Sequence, residues 1–201
     1  MRPIEFKDIA VLVPESLALA TLITPRASEN AGFFTFSNSD LKLKELEIVV
    51  LSCAKKVLDI PPYFSNTEFT ILNCVVTSSE FLESYGDFAT ELCELRLVGK
   101  SKDVFTRNIG NLARSKVVEA MRTNKLYDAS TMFPFVAKMR MVSEINKDRK
   151  RYFSVETQIS DITTLKSKGL EAIDWNYMCA VEQALQAEMT VKSLPESDVD
   201  Y

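Results

Sequence analysis

Residues 132–159 alternate between apolar and polar side chains along two arms, which the turn Asn146-Lys147-Asp148 separates. Successive side chains of a β-strand point to opposite faces, so a period of two predicts strands rather than helices. One face of the first arm collects the apolar residues Phe133, Phe135, Ala137, Met139 and Met141. The stretch is therefore predicted to be a β-hairpin with one face in a core. Pro134 predicts an edge or a bulge at its start, because proline cannot donate a ladder hydrogen bond.

Further strands are predicted upstream, where β-branched and aromatic residues dominate short segments bounded by turn residues. These segments are residues 33–36, 41–51, 69–76 and 91–97. Apolar residues at spacings of three and four predict two helices, Asp103–Asn124 with Ser101 as its cap, and Lys168–Thr190. Residues 1–30 are predicted to form an N-terminal extension with a small helix from Ser16 to Ile23.

Five to seven strands with one central amphipathic helix, a basic hairpin and a C-terminal helix are typical of an elaborated OB-like barrel. The expected fold class is therefore mainly β (α+β). We expect a single domain over residues 1–192, since no linker divides the chain, followed by a flexible acidic tail over residues 193–201.

The chain of 201 residues has no histidine, which excludes His-dependent nucleophilic catalysis and zinc sites that need imidazole. Its four cysteines lie in apolar stretches without CxxC spacing, so they are predicted to be buried free thiols of a protein in the reducing cytoplasm. No apolar run is long enough for a membrane span, and the N-terminus does not resemble a signal peptide. We expect a protein that is not an enzyme and that needs no metal or cofactor.

Charge is distributed unevenly along the chain, although the net charge is only −4. Residues 1–96 carry 8 basic and 14 acidic side chains, residues 97–153 carry 13 and 5, and residues 154–201 carry 3 and 9. The basic middle indicates a surface that binds polyanions. The alternative is a solvated helix and hairpin whose charges serve solubility.

Three features together resemble the single-stranded DNA-binding proteins encoded by bacteriophages, over residues 30–201. One is the strand Leu95-Arg96-Leu97-Val98-Gly99-Lys100-Ser101 that leads into the central helix. The second is the hairpin arm that contains Lys150-Arg151-Tyr152-Phe153, and the third is the acidic tail that closes on Tyr201. The resemblance implies a non-enzymatic protein that coats single strands in the host cytoplasm during replication or recombination. It also implies that the tail recruits replication proteins or competes with DNA, through Glu196, Asp198, Asp200 and Tyr201.

Charge and strand phase select the residues expected to contact DNA. Phosphates would be held by cations of the helix and the hairpin, namely Lys100, Lys102, Arg107, Lys138, Arg140, Lys150 and Arg151. Bases would stack on Tyr152, and on Phe34 or Phe36, because aromatic faces accept any base. The alternative for the hairpin is a solvated turn whose tyrosine packs on a neighbour.

Two other functions stay open from the sequence. A viral or phage structural or assembly protein, forming homo-oligomers, would use the basic middle and acidic ends for contacts between subunits. A carboxylate-dependent nuclease would use pairs such as Glu45/Glu47 or Glu80/Glu83 to hold Mg²⁺, although neither spacing is diagnostic.

Overall fold

The computed structural model describes residues 1–6, 9–28, 30–85, 89–128, 132–165 and 170–192. Within these ranges lie ten strands: β1 (Arg2–Glu5), β2 (Ala10–Val13), β3 (Thr21–Arg26), β4 (Phe33–Phe36), β5 (Ser39–Leu43), β6 (Glu45–Ile60), β7 (Phe64–Val76), β8 (Ala89–Leu97), β9 (Phe135–Ile145) and β10 (Arg151–Asp161). The same ranges hold three α-helices: α1 (Ser79–Tyr85), α2 (Gly99–Arg122) and α3 (Trp175–Lys192).

The described strands form one sheet in the order β10-β9-β6-β7-β8-β3-β4-β5, with β2 also pairing with β8, and β1 with β2. Pairs are antiparallel except that β2 and β3 both run parallel to β8. Only one residue separates the end of β5 from the start of β6, although the two strands lie far apart in this order. The sheet must therefore curl back on itself, and it forms a strongly curled half-barrel. The mainly β, α+β class is confirmed.

Each long strand serves two cores because its side chains alternate between the faces of the sheet. The inner core gathers Phe34, Leu72 and Leu95 with Phe105 of α2 and Phe135 of β9, all fully buried. The outer core lies on the opposite face and includes Val11, Val49, Val75, Trp175 and Met178. Helix α2 thus covers the inner face and α3 the outer face, so a continuous apolar run such as 48–51 is buried on both sides.

The predicted hairpin is present as β9 and β10, whose register pairs Arg151 with Ile145 and Asp161 with Phe135. Its predicted apolar face contributes Phe135, Ala137 and Met139 to the inner core. β9 is a central strand, between β10 and β6. Pro134 disturbs no ladder there, because pairing begins only at Phe135.

The N-terminal 30 residues are not an extension, since they supply β1, β2 and β3 to the sheet. Val11, Val13 and Ile23 are fully buried. The helix predicted from Ser16 to Ile23 is wrong. Ser16 caps only the short 3-10 turn Leu17–Leu19, and β3 follows because β8 offers its backbone as a parallel partner.

Both long helices begin at positions that differ from the prediction. α2 begins at Gly99, and Ser101 is not its cap; the Ser101 hydroxyl instead accepts a hydrogen bond from the backbone N of Val155. α3 begins at Trp175 rather than Lys168. The carboxylate of Asp174 accepts hydrogen bonds from the backbone N of Asn176 and Tyr177, both at 3.1 Å, and so supplies the cap.

The cysteines are free thiols, as predicted, with Cys74, Cys93 and Cys179 buried and Cys53 half-buried. Burial raises the pKa of Cys53 and of Cys179 to about 11, because a thiolate loses its hydration in an apolar surrounding. In the described part of the chain, no helix is long and apolar enough to cross a membrane.

Candidate nucleic-acid interface

Helix α2 packs along the outer edge of β10, where the backbone N of Phe153 also donates to the carbonyl of Ala27 at 2.9 Å. Its Phe105 is fully buried in the inner core. The Ser101 hydroxyl accepts from the N of Val155 at 2.9 Å, and the Asn108 amide donates to the carbonyl of Thr157 at 2.5 Å. These side chains satisfy backbone groups of an edge strand that would otherwise be open to pairing. They also determine which face of α2 meets solvent.

The solvent face of α2 carries a row of cations. A helix turns about 100° per residue, so Arg107 and Arg114 point away from the buried Phe105. Both are exposed, as are Lys100 and Arg122 at the two ends of the helix. We call these four residues the α2 basic stripe. At 1.5 Å per residue, the stripe is about 33 Å long.

The turn between β9 and β10 presents a second group of cations. The Asn146 side chain accepts from the backbone N of Asp148 at 3.0 Å and of Lys150 at 2.8 Å, which stabilises a compact turn. Lys147, Arg149 and Lys150 are exposed around it. Among the described residues, these three cations have no carboxylate within 4.0 Å, and the same is true of Arg107, Arg114 and Arg122.

Glu144 connects the start of α2 to the hairpin. Its carboxylate accepts hydrogen bonds from the Lys100 ammonium, the Ser154 hydroxyl and, at 2.8 Å, the Tyr152 hydroxyl. These bonds, the one from Lys100 foremost, lower the pKa of Glu144 to about 2. The bond to Glu144 also raises the pKa of Tyr152 above its usual value. The α2 basic stripe therefore begins beside the β9–β10 turn, and the neutralised Lys100–Glu144 pair lies between the exposed cations of the turn and those of the helix.

Two of the predicted cations lie elsewhere. Lys138 pairs with Glu47 at 3.0 Å and Arg140 with Glu156 at 2.6 Å, in a cleft of about 510 Å³. Arg140 is six residues from the turn, or about 20 Å along the strand. The cleft is lined by four carboxylates against these two cations, namely Glu45, Glu47, Glu80 and Glu156. Its charge balance does not suit a phosphate backbone.

The other predicted cations lie near the α2 basic stripe. They differ in whether another side chain already pairs with them. Lys102 pairs with Glu68 at 2.8 Å, so its charge is already neutralised. Lys150 is exposed at the turn. The Arg151 guanidinium lies over the ring of Phe153, 5.1 Å from its centroid, and donates to the Ser143 hydroxyl. Tyr152 is half-buried, with its hydroxyl engaged by Glu144.

The prediction that Phe34 or Phe36 stacks on bases is wrong. Both side chains are buried in the inner core, because β4 turns these alternate residues inward. The half-buried ring of β4 is that of Phe33, and the Lys42 ammonium lies 5.3 Å from its centroid. The predicted tail residues Glu196, Asp198, Asp200 and Tyr201 lie outside the described residues.

Sequence reasoning missed Arg114, Arg122, Lys147 and Arg149 as members of this surface. A usable signal was present, because Arg107 and Arg114 are seven residues apart, which is close to two helical turns. The missing information was the identity of the buried face, which depends on Phe105.

In the part of the chain that the structure describes, no group of three or more carboxylate or thiol side chains could hold a metal ion. The chain matches no protein-family model, no curated protein and no solved structure in the comparisons made.

Proposed function

We propose that the protein binds single-stranded DNA, largely without sequence specificity, on an elaborated OB-like barrel. The observation that carries the proposal is that the α2 basic stripe begins beside the β9–β10 turn and that six exposed cations of these two groups have no carboxylate partner within 4.0 Å among the described residues. Phosphates would replace the counterions of these cations, and the release of those ions would favour binding.

The hairpin adds aromatic groups to this surface. The ring of Tyr152 is half-buried, and Arg151 lies over the ring of Phe153. Bases unstacked from a single strand could contact the exposed parts of the Tyr152 ring and of the Arg151 guanidinium, whereas bases within a duplex could not. The predominantly acidic remainder of the chain would repel a polyanion and so keep the strand on this surface. The resemblance extends the proposal to phage replication or recombination in the host cytoplasm, without enzymatic activity.

The direct test is fluorescence anisotropy with labelled oligo-dT of increasing length, a duplex control and a series of salt concentrations. We expect binding that rises with length to a plateau, is weak on duplex, and falls with salt. Absence of binding at low salt would reject the proposal and favour a phage structural or assembly protein.

Two matched double variants locate the surface. Arg107→Gln with Arg114→Gln should reduce the slope of log K against log salt by about 1.4, since each phosphate contact contributes about 0.7 on a single strand. Lys138→Gln with Arg140→Gln removes the same charge from the acidic cleft and should leave the slope nearly unchanged. Equal effects of the two variants would place the strand elsewhere.

The acidic tail is proposed to compete with DNA for this surface. Removal of residues 193–201 should then tighten binding of oligo-dT at low salt, with a smaller effect at high salt because of screening. Unchanged affinity would remove the tail from the mechanism and leave the strand-binding proposal intact.

A further inference from the structure

The hairpin of β6 and β7 extends well beyond the sheet. β9 pairs with β6 only over Glu45–Val50, and β8 pairs with β7 only over Thr70–Val75. The two strands of the hairpin remain paired with each other as far as Ile60 and Phe64. Residues 54–69, which we call the distal ribbon, therefore lie at the margin of the sheet and beyond it. β6 pairs there with β7 alone, and the ribbon is two-stranded from Lys56 and Phe69 outward.

The outer edge of β6 is unpaired along the distal ribbon. In the described ranges, no backbone hydrogen bond joins residues 54–60 to any strand other than β7. Val57 is 60% exposed on this edge, between the exposed Lys56 and the half-buried Leu58. An unpaired edge with an exposed apolar centre offers backbone hydrogen bonds and apolar area to another strand.

The charge of the distal ribbon favours a protein partner over a nucleic acid. Its own charges, Lys55 and Lys56 against Asp59 and Glu68, sum to zero, and Glu68 also pairs with Lys102 of α2. Lys55 lies 4.0 Å from Glu68 and its side chain is 61% exposed, which leaves it free to take a closer partner. A neutral ribbon has no general attraction for a phosphate backbone.

The sequence of the edge is complementary to itself in an antiparallel arrangement. When two copies pair about Val57, Lys55 lies opposite Asp59 of the second copy, and Lys56 lies opposite Leu58. The two-fold symmetry repeats the Lys55–Asp59 pair on the other side of the centre. Opposite charges at facing positions stabilise a strand pair, and like charges destabilise it.

We propose that two copies of the chain associate through residues 54–60 of β6, which pair antiparallel about Val57. The dimer joins two sheets edge to edge and covers the unpaired backbone and the exposed Val57 of both copies. The association does not depend on the DNA-binding proposal, because the α2 basic stripe and the β9–β10 turn supply none of these residues.

Sedimentation velocity on the full chain, over a wide range of concentrations, tests the proposal. The wild type should show a monomer–dimer equilibrium. Lys55→Glu places like charges opposite each other twice in the dimer, and the dissociation constant should rise about tenfold or more. Lys56→Glu is the matched control, with the same change of charge at a position that faces Leu58, and its effect should be much smaller.

A double variant keeps the test independent of folding. Lys55→Glu with Asp59→Lys exchanges the two charges and should restore dimerisation. Because Asp59 also accepts a hydrogen bond from the backbone N of Asn66, thermal unfolding of this variant must show that it folds. A wild type that stays monomeric at all concentrations would overturn the proposal, as would equal effects of Lys55→Glu and Lys56→Glu. Weaker DNA binding by Lys55→Glu with no change in mass would instead assign the ribbon to nucleic acid.

Discussion

Replacement of Glu144 by glutamine should destabilise the protein, and the structure sets the scale of the loss. Glutamine keeps the size of the side chain but only one of the two oxygens, so it can accept from Tyr152 (on Oε2 of Glu144) or from Ser154 (on Oε1), and it also removes the charge that faces Lys100. A pKa lowered from 4.5 to about 2 corresponds to at most about 3 kcal/mol. Because the Lys100 side chain is 54% exposed, water screens this interaction, and we expect a loss of about 1 to 2 kcal/mol.

The same interaction predicts how stability depends on pH. A carboxyl group whose pKa is lower in the folded than in the unfolded protein stabilises the fold when it is ionised. This contribution of Glu144 is fully present above about pH 4.5 and is lost as the pH falls from about 4.5 to about 2. In Glu144→Gln this part of the acid sensitivity should be absent.

Urea unfolding followed by circular dichroism, at pH 7 and at several values down to pH 3, measures both effects. Glu156→Gln is the control, because Glu156 pairs with Arg140 on an exposed surface and should cost at most about 0.5 kcal/mol. If Glu144→Gln is no more costly than Glu156→Gln, or keeps the acid sensitivity of the wild type, the stabilising role of the Glu144 cluster is refuted.

Three further predictions concern the packing of the fold. Phe105→Ala should lower the free energy of unfolding by about 3 to 5 kcal/mol in urea titrations, since the ring is fully buried; a loss below 1 kcal/mol would contradict its anchoring role. Gly32→Ala should cost about 2 kcal/mol or more, because Gly32 has φ +100° and a Cβ atom would lie 2.6 Å from the Phe153 ring. Gly110→Ala, in open space within α2, should stabilise by about 0.5 to 1 kcal/mol, and the opposite ranking of the two would be inconsistent with this geometry. The four cysteines should react slowly with a thiol reagent at pH 8 and rapidly in denaturant; rapid reaction of the native protein would contradict their burial and raised pKa.

The strands were predictable where side-chain alternation carries the information. The register of β9 and β10 confirms the apolar face assigned to Phe135, Ala137 and Met139, because a shift of one residue would turn these side chains to the opposite face. The N-terminal strands were missed for a physical reason. Residues such as Val11 and Ile23 form strands because β8 provides a parallel partner, and that partner lies more than sixty residues away.

For the candidate site, too, some features could be predicted from the sequence and others could not. The amino-acid pattern was enough to predict that the basic residues concentrate in 97–153 and that an amphipathic helix and a hairpin present them, because periodicity is a local property. Which of these cations have no carboxylate partner depends on how the strands and helices pack together. Lys102 and Lys138 each meet a carboxylate from a strand distant in sequence, Arg140 meets Glu156 across its own hairpin, and Lys100 meets Glu144 of β9. Arg107 and Arg114 face solvent because Phe105 is held in the core. The same packing buries Phe34 and Phe36, since exposure depends on what the other strands bring against a side chain.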